Sequence, residues 1–480
     1  MERIAILFLP SLIGILWQDE PSISLAWSLA GSFLIAAFAL SPGFREADDS
    51  LPLTRQLLRP FFMFHFFFIG NHVVGGAFYA LNNAGSGFWT PVDPSEYGIA
   101  LNATAQELML LAHASTTAGM KLAGLRYERP NYHVQYLPPY SLLIFSFVCL
   151  GVGNMLGSGL TFRNFSQKIL QIASTAVLVE IAFATAQRYI RNLLVALVLL
   201  IITLLSQILS GWRGLALWTM VSLCALLYPL MPRRVLLVGA VFALFWAFYL
   251  HPFGTALRPL IWRQQLDART AATISMDVAL NMSLEQRLDH VSTMMVGRAN
   301  ELYQFEKYLI YVPETRSYFG FDLAQEALIG LVPRVIWPEK PDLERLTMER
   351  VYQAGIVSEQ SDVSAKSNFY QDAYLSWGWP AVIFASVLFG FIAIFISRTC
   401  ERLFGGYEIG TCLIFTSLFA SGFYFTPNFP FFVGIVASSV LLMFVLFFVG
   451  RISGWIVPAD GAPLATPHGT AKVLGGDPAW

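Results

Sequence analysis

Apolar runs alternate with short polar connectors along almost the whole chain, and one long polar segment, His251 to Gly378, breaks the pattern. A helix needs about 20 apolar residues to cross the hydrocarbon of a bilayer. On that criterion spans are expected at 3–17, 22–41, 57–81, 100–124, 139–157, 167–186, 190–208, 213–230, 234–250, 379–397, 407–425 and 431–450. Glu107, His113 and Lys121 interrupt the fourth, for which an interfacial helix is the alternative. The first run ends at Gln18-Asp19-Glu20-Pro21 with no small-residue cleavage site, so it reads as a retained span rather than a removed signal.

Composition agrees with the pattern. Of the 480 residues 56% are hydrophobic and 13% charged, and the mean hydropathy is +0.57. A soluble domain carries about a quarter charged residues, so this chain lacks the polar surface to face water all round. The fold class expected is all-α integral membrane, with about 12 transmembrane helices and one large helical loop. Residues 1–250 form an N-terminal bundle of about nine spans, 251–378 the loop and 379–451 three further spans. The Gly-, Pro- and Ala-rich end, 452–480, reads as a disordered tail. Cys149, Cys224, Cys400 and Cys412 lie scattered in apolar runs, as core thiols do, with neither a disulfide framework nor a zinc spacing.

The net charge of −1 conceals a strong sidedness. Arg45, Arg55 and Arg59, then Arg126 and Arg129, Arg188 and Arg191, Arg233 and Arg234, Arg398 and Arg402, and Arg451 fall in one set of alternate connectors. The other set is poor in cations, only Arg163, Lys168 and Arg213 departing from the rule. Lysine and arginine accumulate on the cytoplasmic side. Both termini are therefore expected in the cytoplasm and the long loop outside it.

The loop carries nine arginines and helical signals of its own. Ser283-Leu-Glu-Gln286 has the form of a capping box, followed by Leu284, Leu288, Val291 and Met295 at helical spacing that extends through Ala299, Leu302 and Phe305. A second helix fits Asp322 to Leu331, closed by Pro333, and two or three surface helices are expected in all.

Clustered cations beside a membrane suit an anionic, lipid-linked substrate, because the arginine fork grips phosphate oxygens with paired hydrogen bonds and keeps its charge. Arg298, Arg334 and Lys340 are the candidates in the loop. Arg213, in Ser210-Gly-Trp-Arg213-Gly214, is a fourth, set at the outer membrane surface against the charge bias. Asp289, His290, Glu301 and Asp372 are the candidate general bases, and spacing alone does not select among them. Glu107 and Glu180 are acids inside expected spans, costly there unless paired or facing a cavity. No Walker motif, dinucleotide glycine pattern, zincin helix or Gly-x-Ser-x-Gly elbow occurs, so no metal or cofactor is expected.

Three strings carry a family likeness: Ser210-Gly-Trp-Arg213-Gly214, Pro333-Arg334-Val-Ile-Trp337-Pro338-Glu-Lys340-Pro341, and Ser367-Asn-Phe-Tyr370-Gln-Asp372-Ala-Tyr374-Leu-Ser-Trp-Gly378. With the topology, they make the chain resemble the Wzy-type O-antigen and exopolysaccharide repeat-unit polymerases of bacterial envelopes. Relatives often carry Glu where this chain has Asp372, which leaves that residue's role open. The resemblance implies a GT-C-like glycosyltransferase of the bacterial cytoplasmic (inner) membrane that acts outside it. It would move a growing glycan from one undecaprenyl diphosphate carrier to the sugar end of another carrier-linked unit. Arg213, Arg298, Arg334 and Lys340 would hold the diphosphate, and an acid or histidine would deprotonate the acceptor hydroxyl. The implied partners are the undecaprenyl-diphosphate-linked glycan, membrane lipid, a chain-length regulator and a flippase, with no nucleic acid. A polysaccharide ligase shares this topology and substrate. A transporter would place polar residues through several spans and show internal repeats.

Overall fold

Backbone N–H and C=O groups in hydrocarbon have no partners but one another, so apolar runs fold as helices. The computed structural model describes residues 2–45, 52–83, 96–127, 129–135, 140–157, 163–209, 213–262, 264–297, 301–332, 337, 339–360 and 365–459. The first part holds α1 (Glu2–Ile15), α2 (Pro21–Leu40), α3 (Pro60–Tyr79), α4 (Glu96–Ala123), α5 (Ser141–Gly157), α6 (Arg163–Gln187), α7 (Ile190–Leu209), α8 (Arg213–Leu227) and α9 (Pro232–Ile261). Next come α10 (Ala268–Asn281), α11 (Leu284–Gly297), α12 (Leu302–Ile310), α13 (Asp322–Leu331), α14 (Leu343–Gln353) and α15 (Phe369–Trp377). The chain ends with α16 (Trp379–Leu403), α17 (Tyr407–Leu418), α18 (Ala420–Tyr424) and α19 (Phe429–Ile452). Among the described residues, strands β1 (Tyr132–Val134) and β2 (Ile456–Pro458) form a two-stranded antiparallel sheet.

Seven of these helices are long and apolar enough to cross a membrane: α2, α3, α6, α7, α9, α16 and α19. Helices α5, α8 and α17 are apolar but shorter. The loop is richer in helices than its sequence pattern indicates, with α10 to α15 each short, and α15 buried along nearly its whole length. Its capping box is present, Ser283 Oγ accepting from the Gln286 N–H at 3.2 Å and Gln286 Oε1 from the Ser283 N–H at 2.8 Å. Helix α13 occupies the expected residues, while Arg298, Ala299 and Pro333 lie outside the described residues. Two boundaries differ from the expectation. Helix α9 runs without a break past Leu250 to Ile261, because a π-helical turn at Trp246–Leu250 carries it into the polar segment. The tail expected from residue 452 begins with β2, and 460–480 lie outside the described residues.

Helix α4 is the axis of the bundle. A Cβ at Gly119 would stand 1.9 Å from the Val387 carbonyl oxygen, and one at Gly390 only 2.0 Å from that of Thr116. The two glycines thus let the backbones of α4 and α16 touch. Where α17 gives way to α18, the Lys168 ammonium enters the break: it donates to the Leu418 carbonyl at 3.4 Å, to that of Ile435 at 3.3 Å and to Ser439 Oγ. A polar side chain inserted into a helical ladder is a known cause of such an interruption. It also accounts for a cation that defied the charge pattern, since Lys168 is buried inside the bundle and not in a connector.

Hydrogen bonds sort the connectors into two ends. At one end Lys121 Nζ donates to Phe44 O at 2.7 Å, Arg398 Nη1 to Ala123 O at 2.6 Å, the Asn131 N–H to Arg402 O at 3.0 Å, and β1 pairs with β2. At the other the Phe369 N–H meets Thr426 O at 3.0 Å, and Asn368 bridges Pro427. The segments that carry Arg45, Arg129, Arg402 and Arg451 share the first end; the loop segment 368–369 shares the second with the cation-free 426–430.

Candidate functional site

Helix α15 sits where the loop meets the bundle, and its cap organises the site. The Asn368 side chain accepts from the Gln371 N–H at 2.8 Å while Gln371 Oε1 accepts from the Asn368 N–H at 2.9 Å, a second capping box. Both residues have a further task. Asn368 Nδ2 donates to Glu301 Oε2, and Gln371 Nε2 to the Glu301 carbonyl at 3.0 Å. Glu301, at the N-cap of α12, is thereby pinned to α15 with its carboxylate 3.8 Å from His72 Nδ1 of α3. Its side chain keeps 35% exposure, against 3% for His72. Surrounding protein pushes the Glu301 carboxyl up to about 7, the hydrogen bond from Asn368 opposing the shift. A carboxyl that is solvent-reachable and half-ionised near neutrality has the form of a general base.

One turn further along α12, Glu306 repeats the theme. Tyr79 of α3 donates to its Oε2 at 3.0 Å, its Oε1 has no protein partner, and burial lifts it to about 7. Behind both acids, α3 and α4 enclose a polar seam. His65 Nδ1 lies 2.8 Å from His113 Nε2, Phe68 stacks on His113 with centroids 4.2 Å apart, and Gln106 and Asn102 are fully buried. The α3 backbone comes close enough that a Cβ at Gly76 would lie 2.9 Å from Gln106 Oε1 and 2.6 Å from Leu302. Buried polar atoms without protein partners recur along it: both ends of the Gln106 amide, Asn102 Oδ1, His113 Nδ1 and His65 Nε2. Buried polar groups carry a desolvation penalty, so a seam of them calls for a functional reason.

Asp372 is a different kind of acid. It is wholly buried, with Ser367 Oγ donating to Oδ1 at 2.6 Å and the Phe429 N–H to Oδ2 at 2.9 Å, so it ties α15 to the start of α19. Burial raises its carboxyl, against the nearby Arg350 charge and these hydrogen bonds. Arg350 in turn grips Glu326 of α13 at 2.6 and 2.8 Å. This group is a fastening for the loop, with Asp372 and Arg350 buried and Glu326 at its partly exposed edge.

The remaining sequence candidates fall elsewhere. His290 on α11 meets His251 of α9, Nε2 to Nδ1 at 2.9 Å, and Asp289 beside it is exposed. Lys340 Nζ donates to the carbonyls of Gly330 at 3.2 Å and Val332 at 2.9 Å, closing the C-terminal end of α13. Arg213 opens α8, and Arg298 and Arg334 lie outside the described residues. Of the four base candidates, then, α15 gathers Glu301 and Asp372. The sequence reading passed over His72, Asn368 and Gln371. Its one available signal was polar residues inside the apolar runs 57–81 and 100–124. The acids inside spans are paired: Glu107 accepts from Ser24 and Glu180 from Asn192 at 2.8 Å. Among the described residues no three His, Cys, Asp or Glu side chains are grouped to hold a metal ion.

Residues 9–457 match the model of a family described as a domain of unknown function, DUF8712. The match takes in nearly all of the chain, which belongs to that family. No curated protein and no solved structure matches it.

Proposed function

We propose that this chain is a multi-pass glycosyltransferase that joins undecaprenyl-diphosphate-linked repeat units into a surface or exopolysaccharide. The observation that carries the reading is Glu301, a partly exposed carboxyl held at about 7 where the loop meets the membrane bundle. In the proposed reaction Glu301 takes the proton of an acceptor sugar hydroxyl as its oxygen attacks the donor's anomeric carbon. The bond from that carbon to the diphosphate breaks, and undecaprenyl diphosphate leaves with the electron pair. Arg213, Arg298, Arg334 and Lys340 are assigned to the diphosphate oxygens, whose growing charge needs compensation. Lys340 would exchange its two carbonyls for them.

The proposal takes the twelve apolar stretches as about 12 spans in a GT-C-like bundle. The positive-inside bias puts the cation-rich end, with both termini, in the cytoplasm and α10 to α15 outside the inner membrane. Deleting the protein and separating lipid-linked from surface glycan on a gel tests the reading. Accumulation of single repeat units without long chains supports it; long chains left on carrier lipid would point to a ligase. One observation favours a second reading. The seam of His65, His72, Asn102, Gln106 and His113 inside α3 and α4 is what a transporter's ion path requires. Repeat units trapped on the cytoplasmic face of the deletion strain would choose that reading.

A further inference from the structure

Helices α9 and α11 enclose a groove of about 540 Å³ lined by Leu244, Phe245, Phe248, Tyr249, Leu284 and Arg287. Its size falls within the range of small-ligand sites, roughly 300–1,000 Å³. Helix α9 is a candidate membrane span with only 17% of its apolar window buried, so this wall faces lipid. At 1.5 Å per residue, Leu244 to Tyr249 lie about 18–26 Å from the start of the helix at Pro232, in the far half of a hydrocarbon layer about 30 Å thick. Leu244 and Leu284 are 60% and 68% exposed, and Phe245 stacks on Tyr249 at 5.7 Å.

A buried cation stands at the mouth. Arg287 is 8% exposed and its guanidinium donates to four carbonyls, those of Phe248, Ala279, Leu280 and Met282, with the Tyr249 ring 4.4 Å beneath. Three of these carbonyls close the C-terminal end of α10, whose dipole offsets part of the charge, and among the described residues no carboxylate pairs with the guanidinium. An apolar furrow at the depth of the outer leaflet that ends on a guanidinium without a carboxylate partner matches an anionic lipid. The furrow is open to lipid and has room for the headgroup-proximal stretch of a chain, and a single-chain anionic lipid is what an isoprenoid diphosphate is.

Helix α11 joins this groove to the base. Leu284 and Arg287 lie in its first turn, and Glu301 follows shortly after its end at Gly297. The helix has 14 residues, a length of about 20 Å. We infer that the groove seats the polyprenyl chain of the acceptor carrier, its diphosphate at Arg287, so that the glycan runs along α11 and presents its far hydroxyl to Glu301. This rests on the polymerase reading, because only a polymerase holds a second carrier one repeat unit away from the reacting centre.

The test is binding of a fluorescent polyprenyl diphosphate without sugar to the full chain in phosphatidylcholine nanodiscs. Leu284→Trp fills the groove from an exposed position, and Arg287→Gln removes the charge. Each is expected to weaken binding about tenfold, a change of about 1.4 kcal/mol. Phosphatidylglycerol is expected to compete poorly. Unchanged binding by Leu284→Trp would overturn the inference even where Arg287→Gln disturbs the end of α10, and so would equal displacement by phosphatidylglycerol. The probe carries no glycan, so its result is independent of whether Glu301 catalyses transfer.

Discussion

At the scale of single residues, the two acids that α15 gathers separate by what they touch. Asp372 accepts from Ser367 and from the Phe429 N–H with no exposure. Asp372→Ala strands both donors and is expected to cost about 1–3 kcal/mol for the unsatisfied pair; Asp372→Asn, which keeps an acceptor, should cost less. Thermal unfolding in detergent measures both, and equal melting of the two variants would show that the hydrogen bonds contribute little. Glu301 is the proposed base, and its expected pH behaviour follows from its charge state. The base works ionised, so the transfer rate should fall as pH drops through about 7 and level off above it. Asn368 donates to the ionised carboxylate and lowers its pKa; Asn368→Ala should therefore move the limb to higher pH. A limb that stays in place or moves to lower pH in a pH–rate profile would remove Asn368 from the site. Both acids stood out in the sequence as loop carboxylates. Which of them reaches solvent did not, because that is set by packing between distant segments, Glu301 lying beside His72 more than two hundred residues earlier, and no local spacing encodes it.

At the scale of elements, apolar length made the helices readable and long-range backbone contact made the rest unreadable. The capping box at Ser283 and the span of α13 follow from local chemistry, a hydroxyl answered by an amide and a run closed by proline. Helix α4 shows the opposite case: Glu107, His113 and Lys121 made it look like the weakest span, yet it lies at the centre. Its polar residues face inward, and Lys121 caps the backbone at Phe44. The crossing of α4 and α16 supplies a test. Gly119→Ala and Gly390→Ala each drive a methyl into a backbone carbonyl, which no rotamer change relieves. Both should sharply lower the yield of folded protein, measured by fluorescence-detection size exclusion. Gly151→Ala, where nothing lies within 4 Å, should behave as wild type. Wild-type yield from Gly119→Ala would mean that the two helices do not meet there.

At the scale of the whole molecule, hydrogen bonds join the segments that carry Arg45, Arg129, Arg402 and Arg451 at one end, and the charge bias alone assigns that end to the cytoplasm. On the proposed topology, charge sets which connectors cross during insertion, and the hydrogen bonds of Lys121, Arg398 and β1 with β2 form among those left together. Cysteines placed at Ser358 in the loop and at Arg129 near β1 test which end is which. In intact cells a membrane-impermeant thiol reagent should label the first and reach the second only after permeabilisation; the reverse order would turn the site towards the cytoplasm. The proposed reaction is placed where loop and bundle join, and there one replacement decides most. Complementing a deletion strain with Glu301→Gln changes one oxygen for a nitrogen and leaves the fold its shape. Loss of a general base costs roughly 10²–10⁴-fold in rate. The gel profile of lipid-linked glycan should collapse from a ladder of long chains to single repeat units, with the variant protein present in the membrane at normal amounts. A wild-type ladder from Glu301→Gln would contradict the account.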